Sequence, residues 1–258
     1  MLSGGSTHHH TLVRFRIALA AALDAIVAYD GAMEGPATQG ARSAACCVVL
    51  MMKSALRSKR RLAEHIGARR ATQAAQRLLD CACEDLEAWP GLRCVAPSAA
   101  DERVDAPPAQ VVVLQGGGNL GARINHVNEE LIRLGFERQL YIGSDCPTLD
   151  VPYLERAAAA LGNHDTVLGP AADGGVVLMG VRGRWPPLAE LPWSTDALFE
   201  SLRAACVAAG SSAATLPRLS DVDTLPDLVA LRTELRNDPR PARRALVHWL
   251  TAQTDLGR

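Results

Sequence analysis

Cys46-Cys47-Val48-Val49-Leu50-Met51-Met52 is an unbroken apolar run of strand length, closed by Lys53. A strand with one wet face alternates polar and apolar residues; a run without alternation fits a strand buried on both faces, as in parallel sheets covered by helices on either side. Shorter runs repeat the theme at Leu92 to Ala96, Gln110 to Leu114, Leu140-Tyr141-Ile142, Asp165 to Leu168 and Val176 to Gly180. Between them apolar residues recur at helical spacing. Leu62, Ile66, Ala74, Leu78, Ala82 and Leu86 predict one long helix stopped by Pro90-Gly91, and Leu120, Ile124, Val127, Leu131 and Leu134 a second, ended by Gly135. Asp150 with Pro152 opens a helix running to Leu161, Leu198 to Ala208 forms another, and one more lies around Ala245 to Leu250. Strands alternating with helices give an α/β protein. At 258 residues the chain is long enough for one large domain or two small ones.

The totals exclude several functions. A net charge of -1 gives no electrostatic reason for a polyanion partner, so nucleic acid is not expected. The seven cysteines, Cys46, Cys47, Cys81, Cys83, Cys94, Cys146 and Cys206, form no repeated C-x-x-C pair. That pattern supports neither a disulfide framework nor a zinc site and favours a reducing cytoplasm. No apolar run approaches the ~20 residues needed to span a bilayer. Near the start, His8 to His10 read as a mobile end. Leu12, Phe15, Leu19, Leu23, Ile26 and Val27 then predict an amphipathic helix suited to packing or to a homodimer. Arg14 and Arg16 before Ile17 to Leu23 faintly resemble a signal peptide, but Asp24 follows at once and no clear cleavage site appears. Gly31 to Ser43 reads as a linker. The expected organisation is an N-terminal helical extension and linker over 1–45, a main domain over 46–236 and a helical tail over 237–258.

Chemistry concentrates at strand ends. In Gly143-Ser144-Asp145-Cys146-Pro147-Thr148-Leu149-Asp150, Asp145 falls where a strand gives way to a loop. In open α/β sheets ligands collect there, and a hard cation carrying a phosphate needs a fixed oxygen ligand; a turn cap before Pro147 is the other reading. Lys53, Lys59, Arg60 and Arg61 occupy a strand-to-helix junction, where cations hold phosphate or simply form a solvated first turn. Gln115-Gly116-Gly117-Gly118-Asn119-Leu120-Gly121 lets backbone approach a ligand but is neither G-x-G-x-x-G nor a Walker loop. Asp173-Gly174-Gly175 is an ordinary hairpin turn. The Pro- and Trp-containing stretch from Trp185 to Trp193 is long enough to cover a site. In Ser220 to Asp227, a capping role accounts for Thr224, Pro226 and Asp227, but leaves Asp221 and Asp223 unexplained and pointing the same way.

Taken together and in this order, "GGGNLGARI", "YIGSDCPTLD", "VLGPAADGGVVLMGV", "PWST" and "SDVDTLPDL" resemble the bacterial DUF2064 proteins, glycosyltransferase-like transferases related to the glycosyltransferase-A fold. The resemblance runs from about Cys46 to Leu235. It implies a three-layer Rossmann-like mixed sheet of the glycosyltransferase-A type, here with an extra N-terminal helix, that binds a nucleotide diphosphate with Mg²⁺ or Mn²⁺. It places Asp145 and Asp223 at the metal, and Asp173 at the acceptor or sugar with Gly174 and Gly175. Lys53, Lys59 and Arg61 face the phosphates, with Gly117 and Gly121 in the glycine-rich turn. Two departures stand out. The first loop lacks the family's usual Pro and Gly, and Val176 stands where an aromatic usually follows Asp-Gly-Gly. The expected activity is glycosyl transfer from a nucleotide sugar to a small acceptor, Asp145 and Asp173 being the catalytic carboxylates. The alternatives are a guanylyl- or cytidylyl-type nucleotidyltransferase and a noncatalytic nucleotide-fold binding module.

Overall fold

The computed structural model describes residues 26–29, 45–55 and 59–253. His8 to His10, most of the expected N-terminal helix and the linker at 31–43 lie outside the described residues. The strands are β1 Ile26–Tyr29, β2 Cys46–Met52, β3 Leu92–Pro97, β4 Val111–Val113, β5 Arg138–Ile142, β6 Thr166–Pro170, β7 Val176–Arg182 and β8 Ala213–Thr215. The helices are α1 Arg60–Ile66, α2 Ala68–Ala88, α3 Leu120–Arg133, α4 Val151–Ala160, α5 Leu198–Ala208, α6 Leu225–Glu234 and α7 Pro241–Ala252.

One mixed sheet runs β1-β4-β3-β2-β5-β7-β6-β8. β2, β3, β4 and β5 are parallel to one another, whereas β7 is antiparallel to both β5 and β6. The apolar run β2 is central, paired with β3 on one side and β5 on the other, which is why it carries no alternation. From β2 the chain winds outward through β3 to β4 and then returns to lay β5 on the opposite side. The crevice between the carboxyl ends of β2 and β5 is therefore a topological switch point.

Helices cover both faces. Val48, Leu50 and Met52 pack with Leu79 and Leu86 of α2 and Leu154 of α4, while Cys47, Val49 and Cys94 pack on the other side with Val127 and Leu131 of α3 and Leu202 of α5. A further core lies outside α2, joining Leu62 of α1, Leu78 of α2, Leu228 and Leu231 of α6, and Leu246 and Leu250 of α7. The helix expected around Ala245 to Leu250 is thus the middle of α7, and it shares a core with the elements before it.

Two expectations need correction. The single helix from Leu62 to Leu86 is two, because Gly67, at φ 79 and ψ 153, adopts a backbone conformation that side chains disfavour. Ile26 and Val27, expected to close a helix, belong to β1, which pairs antiparallel with β4 from Ile26↔Val113 to Tyr29↔Val111. β-branched residues gain more from that edge pairing than from a helical turn. Short β8, parallel to β6, was not expected at all. Capping holds as read at Asp150, which accepts from Tyr153 N at 2.8 Å, and at Thr224, which with Asp227 forms a full capping box on α6. Asn119 also caps α3, a role not expected from the sequence.

Candidate active site

Where β5 ends, the chain turns through Gly143 and Ser144 to Asp145, and the segment before α6 runs alongside it. Val222 N donates to Asp145 O at 2.8 Å, and Leu219 N donates to Pro170 O at 3.1 Å, so the 219–223 segment is stitched both to the β5 loop and to the end of β6. Lys59 closes the arrangement from the β2 side. Its ammonium lies 2.7 Å from Asp145 Oδ1 and 3.3 Å from Asp223 Oδ1, and it donates to Val222 O. The Lys59 side chain is 4% exposed, and its backbone sits at φ 57 as the residue before α1. Arg61 Nη1 stands 4.0 Å from Asp223 Oδ2 on a largely exposed side chain.

Asp173, Asp221 and Asp223 bring carboxylate oxygens within 4.8 Å of one another. Period-two geometry accounts for Asp221 and Asp223; the hairpin between β6 and β7 delivers Asp173, whose Oδ1 also accepts from Gly175 N at 2.8 Å in the turn. Burial pushes the Asp221 carboxyl up to about 6, and the neighbouring carboxylates of Asp173, Asp223 and Asp145 push the same way. Against these carboxylates the protein supplies the Lys59 ammonium and, at longer range, the Arg61 guanidinium. The cluster is under-neutralised, and its donors are all hard oxygens, the set that suits Mg²⁺ or Mn²⁺ rather than a soft metal. The residues present therefore fit the group that the resemblance implies.

The sequence reading paired Asp145 with Asp223 as metal ligands. The structure joins those two through Lys59 and groups Asp223 more closely with Asp173 and Asp221. Asp221 is the member that sequence reasoning left without a role, although its unexplained spacing with Asp223 was the available signal.

The cluster lies on one side of a cleft of about 920 Å³. Lys53, Lys59, Arg61 and the four aspartates line its charged part; Met51, Tyr141, Val176, Met179, Trp193 and Leu198 are among those lining an apolar part. Gly175 lines the cleft, whereas Gly117 is exposed and Gly121 is buried beneath the Trp loop. A β-carbon on Gly121 would lie 2.2 Å from Leu188 O and 2.6 Å from Trp193 Nε1, so this glycine admits the loop's close approach. Gly174, at φ 91, plays the same part against Asp196 O at 2.2 Å.

Two buried charged residues, neither signalled by the sequence, hold the loops. Glu102, 5% exposed, accepts from Ser54 N at 2.9 Å and from Ser98 N at 2.9 Å, tying the loop after β2 to the loop after β3. Arg243 of α7, with no exposed surface, donates to Pro147 O at 3.0 Å, Leu149 O at 3.1 Å, Cys81 O at 2.6 Å and Glu84 Oε2 at 2.9 Å, and to Asp85 Oδ2. Arg240 adds Leu149 O at 2.7 Å and Asp85 Oδ1 at 2.9 Å. The C-terminal helix therefore anchors the loop that carries Asp145.

Residues 78–195 match the model of the family described as "Uncharacterized protein conserved in bacteria (DUF2064)", a span that ends before Asp221 and Asp223. No curated protein matches the sequence. Among solved structures, a protein from Desulfovibrio desulfuricans G20, provisionally described as a nucleotide-diphospho-sugar transferase, is 25% identical with a TM-score of 0.71 over 80% of this chain and 95% of its own. CMP:2-keto-3-deoxy-manno-octonic acid synthetase complexed with CTP is 12% identical, TM-score 0.48, over 75% and 99% of the two chains. Glucosyl-3-phosphoglycerate synthase from Mycobacterium tuberculosis, in complex with Mg²⁺ and UDP, is 10% identical, TM-score 0.41, over 89% and 86%. At these scores the last two carry no inference about chemistry. The fold is that of the nucleotide-diphospho-sugar transferases.

Proposed function

From a chain that resembles the DUF2064 family and has the nucleotide-diphospho-sugar transferase fold, we propose a metal-dependent transferase that moves a glycosyl group from a nucleotide sugar to a small acceptor. The observation that carries this reading is the under-neutralised carboxylate cluster at the switch point, flanked by Lys59 and Arg61. Asp145 and Asp223, with Asp221 beside them, would hold Mg²⁺ or Mn²⁺, which would supply charge neutralisation for the diphosphate.

The chain's own residues do the rest. Lys53 and Arg61, both exposed and both lining the cleft, bind diphosphate oxygens as negative charge grows on the leaving group. Lys59, held between Asp145 and Asp223, keeps the two carboxylates aimed into the cleft. The bond between the anomeric carbon and the diphosphate oxygen breaks, and the acceptor oxygen bonds to that carbon. Asp173, at the exposed rim, takes the acceptor's proton. The Trp loop, pinned by Trp193 Nε1 donating to Leu188 O at 2.8 Å, borders the acceptor side and excludes water. All seven cysteines are free, the state in which a reducing cytoplasm keeps thiols.

The test is turnover of a panel of nucleotide sugars with Mn²⁺ and small hydroxyl acceptors, on the parent and on Asp173→Asn. Release of nucleoside diphosphate, cut at least a hundredfold in the variant, supports the reading. Release of pyrophosphate from nucleoside triphosphates would instead make the protein a nucleotidyltransferase, and metal-independent binding alone would leave a noncatalytic module.

A further inference from the structure

In the function proposed above, on which this inference rests, the acceptor's hydroxyl meets Asp173, so the rest of the acceptor lies on whatever surrounds that residue in the cleft. Contacts with the neighbouring turn fix those surroundings. Phe199 N donates to Gly174 O at 3.0 Å, which seats the start of α5 against the Asp173 turn, and a β-carbon on Gly174 would lie 2.2 Å from Asp196 O. Val176, Trp193 and Leu198 thereby line the cleft beside Asp173. Val176 and Trp193 are half-buried against the core face that holds Tyr141 and Met179, partners in register across β5 and β7.

The polar atoms of this wall are already committed. Trp193 Nε1 donates to Leu188 O at 2.8 Å, Thr195 Oγ1 donates to Pro192 O at 2.8 Å, and the Tyr141 hydroxyl donates to Gln139 Oε1. The indole therefore offers the cleft carbon rather than an N–H. Ser194 carries the one side-chain hydroxyl of the wall without a partner among the described residues. Charge is just as one-sided. Lys53, Lys59 and Arg61 all follow β2, and among the described residues no Lys, Arg or His from 173 to 198 lines the cleft. What lies beside the wall is negative, since Asp173, Asp221 and Asp223 bring oxygens within 4.8 Å of one another. A phosphate or carboxylate on the acceptor would lose its water against carbon, beside three carboxylates and with no cation to meet it. An ammonium would compete with the reacting hydroxyl for Asp173, whose Oδ1 is already taken by Gly175 N at 2.8 Å. A hydrocarbon gains from the same surface, because it releases water from apolar area on both sides.

We propose that the acceptor is an uncharged alcohol with an apolar body, a ring or a short hydrocarbon chain, which lies on Val176, Trp193 and Leu198 while its hydroxyl reaches Asp173. The hydroxyl proton passes to that carboxylate, the oxygen bonds to the anomeric carbon, and the diphosphate leaves with the electron pair of the broken bond.

The experiment compares acceptors of one shape and three charges: 4-methylbenzyl alcohol, 4-(hydroxymethyl)benzoate and 4-(aminomethyl)benzyl alcohol, with the same three forms of a six-carbon chain alcohol. Each is supplied with Mn²⁺ and a panel of nucleotide sugars, and nucleoside diphosphate release is read above the acceptor-free rate. The expected result is kcat/KM at least about tenfold higher for the neutral alcohol than for either charged form. In Val176→Lys, which puts an ammonium on the wall, the ratio of carboxylate to neutral acceptor should rise at least about tenfold; where that variant does not fold by circular dichroism, the comparison on the parent stands alone. A charged form used as well as the neutral one, or an unaltered ratio in folded Val176→Lys, overturns the acceptor class and leaves glycosyl transfer standing. So does failure of every alcohol to raise the rate while acceptor-free hydrolysis of the nucleotide sugar proceeds. Neither hydrolysis nor transfer from any nucleotide sugar overturns the proposed function as well.

Discussion

Replacing Arg243 by methionine tests whether the C-terminal helix is part of the site's scaffold. The guanidinium has no exposed surface and donates to Pro147 O, Leu149 O, Cys81 O, Glu84 Oε2 and Asp85 Oδ2. Methionine restores most of the stem's volume, so the loss is electrostatic rather than a cavity. It leaves the Asp85 carboxylate, 3% exposed, with the Arg240 guanidinium at 2.9 Å as its remaining cation. Breaking a buried pair by removing one partner costs about 3–5 kcal/mol, and the surviving Arg240 contact puts the expected value near the low end, about 3 kcal/mol. Against a typical total of about 5–15 kcal/mol that is a large fraction, yet it leaves a folded protein to assay. Urea denaturation at pH 7 measures it. The same variant frees Pro147 O on the loop behind Asp145, while Leu149 O keeps its Arg240 donor, so Mn²⁺ affinity should fall as well. A destabilisation below about 1 kcal/mol with unchanged metal affinity would refute the idea that α7 positions this loop.

Other outcomes follow from single contacts. Thr224→Ala removes the α6 cap and with it about 1 kcal/mol, read from the urea midpoint. Gly121→Ala forces a β-carbon to 2.2 Å from Leu188 O, which should cost about 1–3 kcal/mol and shift Trp193 fluorescence as the loop lifts. The Asp221 carboxyl, raised to about 6 in the folded chain against an unfolded value of about 3.9, holds its proton more tightly when folded. Its destabilising effect is therefore full above pH 6 and fades as pH falls towards 4. In EDTA, Asp221→Asn should melt higher than the parent at pH 7, with the gap in Tm closing through that window; a gap independent of pH would contradict the assignment.

Much of this was legible in the sequence because it is local. The unbroken run at Cys46–Met52 announces a central strand, Asp150 and Thr224 announce helix starts, and Gly135, at φ 87, announces a helix end. What escaped depends on partners far along the chain. Nothing in the apolar spacing from Leu62 to Leu86 distinguishes one helix from two until Gly67 adopts a positive φ, a cost met by packing α1 against α6. Ile26 and Val27 satisfy a helical pattern equally well, and only β4 makes them a strand. Asp145 and Asp223 stand out in the sequence as carboxylates, but the resemblance sets Lys59 facing the phosphates, whereas it bridges both carboxylates, its contact with Asp223 spanning 164 residues of sequence. Arg243 carries no signal in the sequence, where it is one basic residue among several near the C-terminal end. Its burial follows from Asp85 and Glu84 on α2 facing it across the core, which no local pattern encodes.

The central claim, that the switch-point carboxylates hold a divalent ion for a nucleotide diphosphate, is tested most directly by Mn²⁺ paramagnetic resonance. Free Mn²⁺ is titrated with the parent and with Asp223→Asn, with and without nucleoside diphosphate. The prediction is stoichiometric loss of the free-ion signal with the parent, tightened by the diphosphate, and at least about tenfold weaker binding in the variant. An unchanged free-ion signal with the parent, or equal binding by Asp223→Asn, would contradict it.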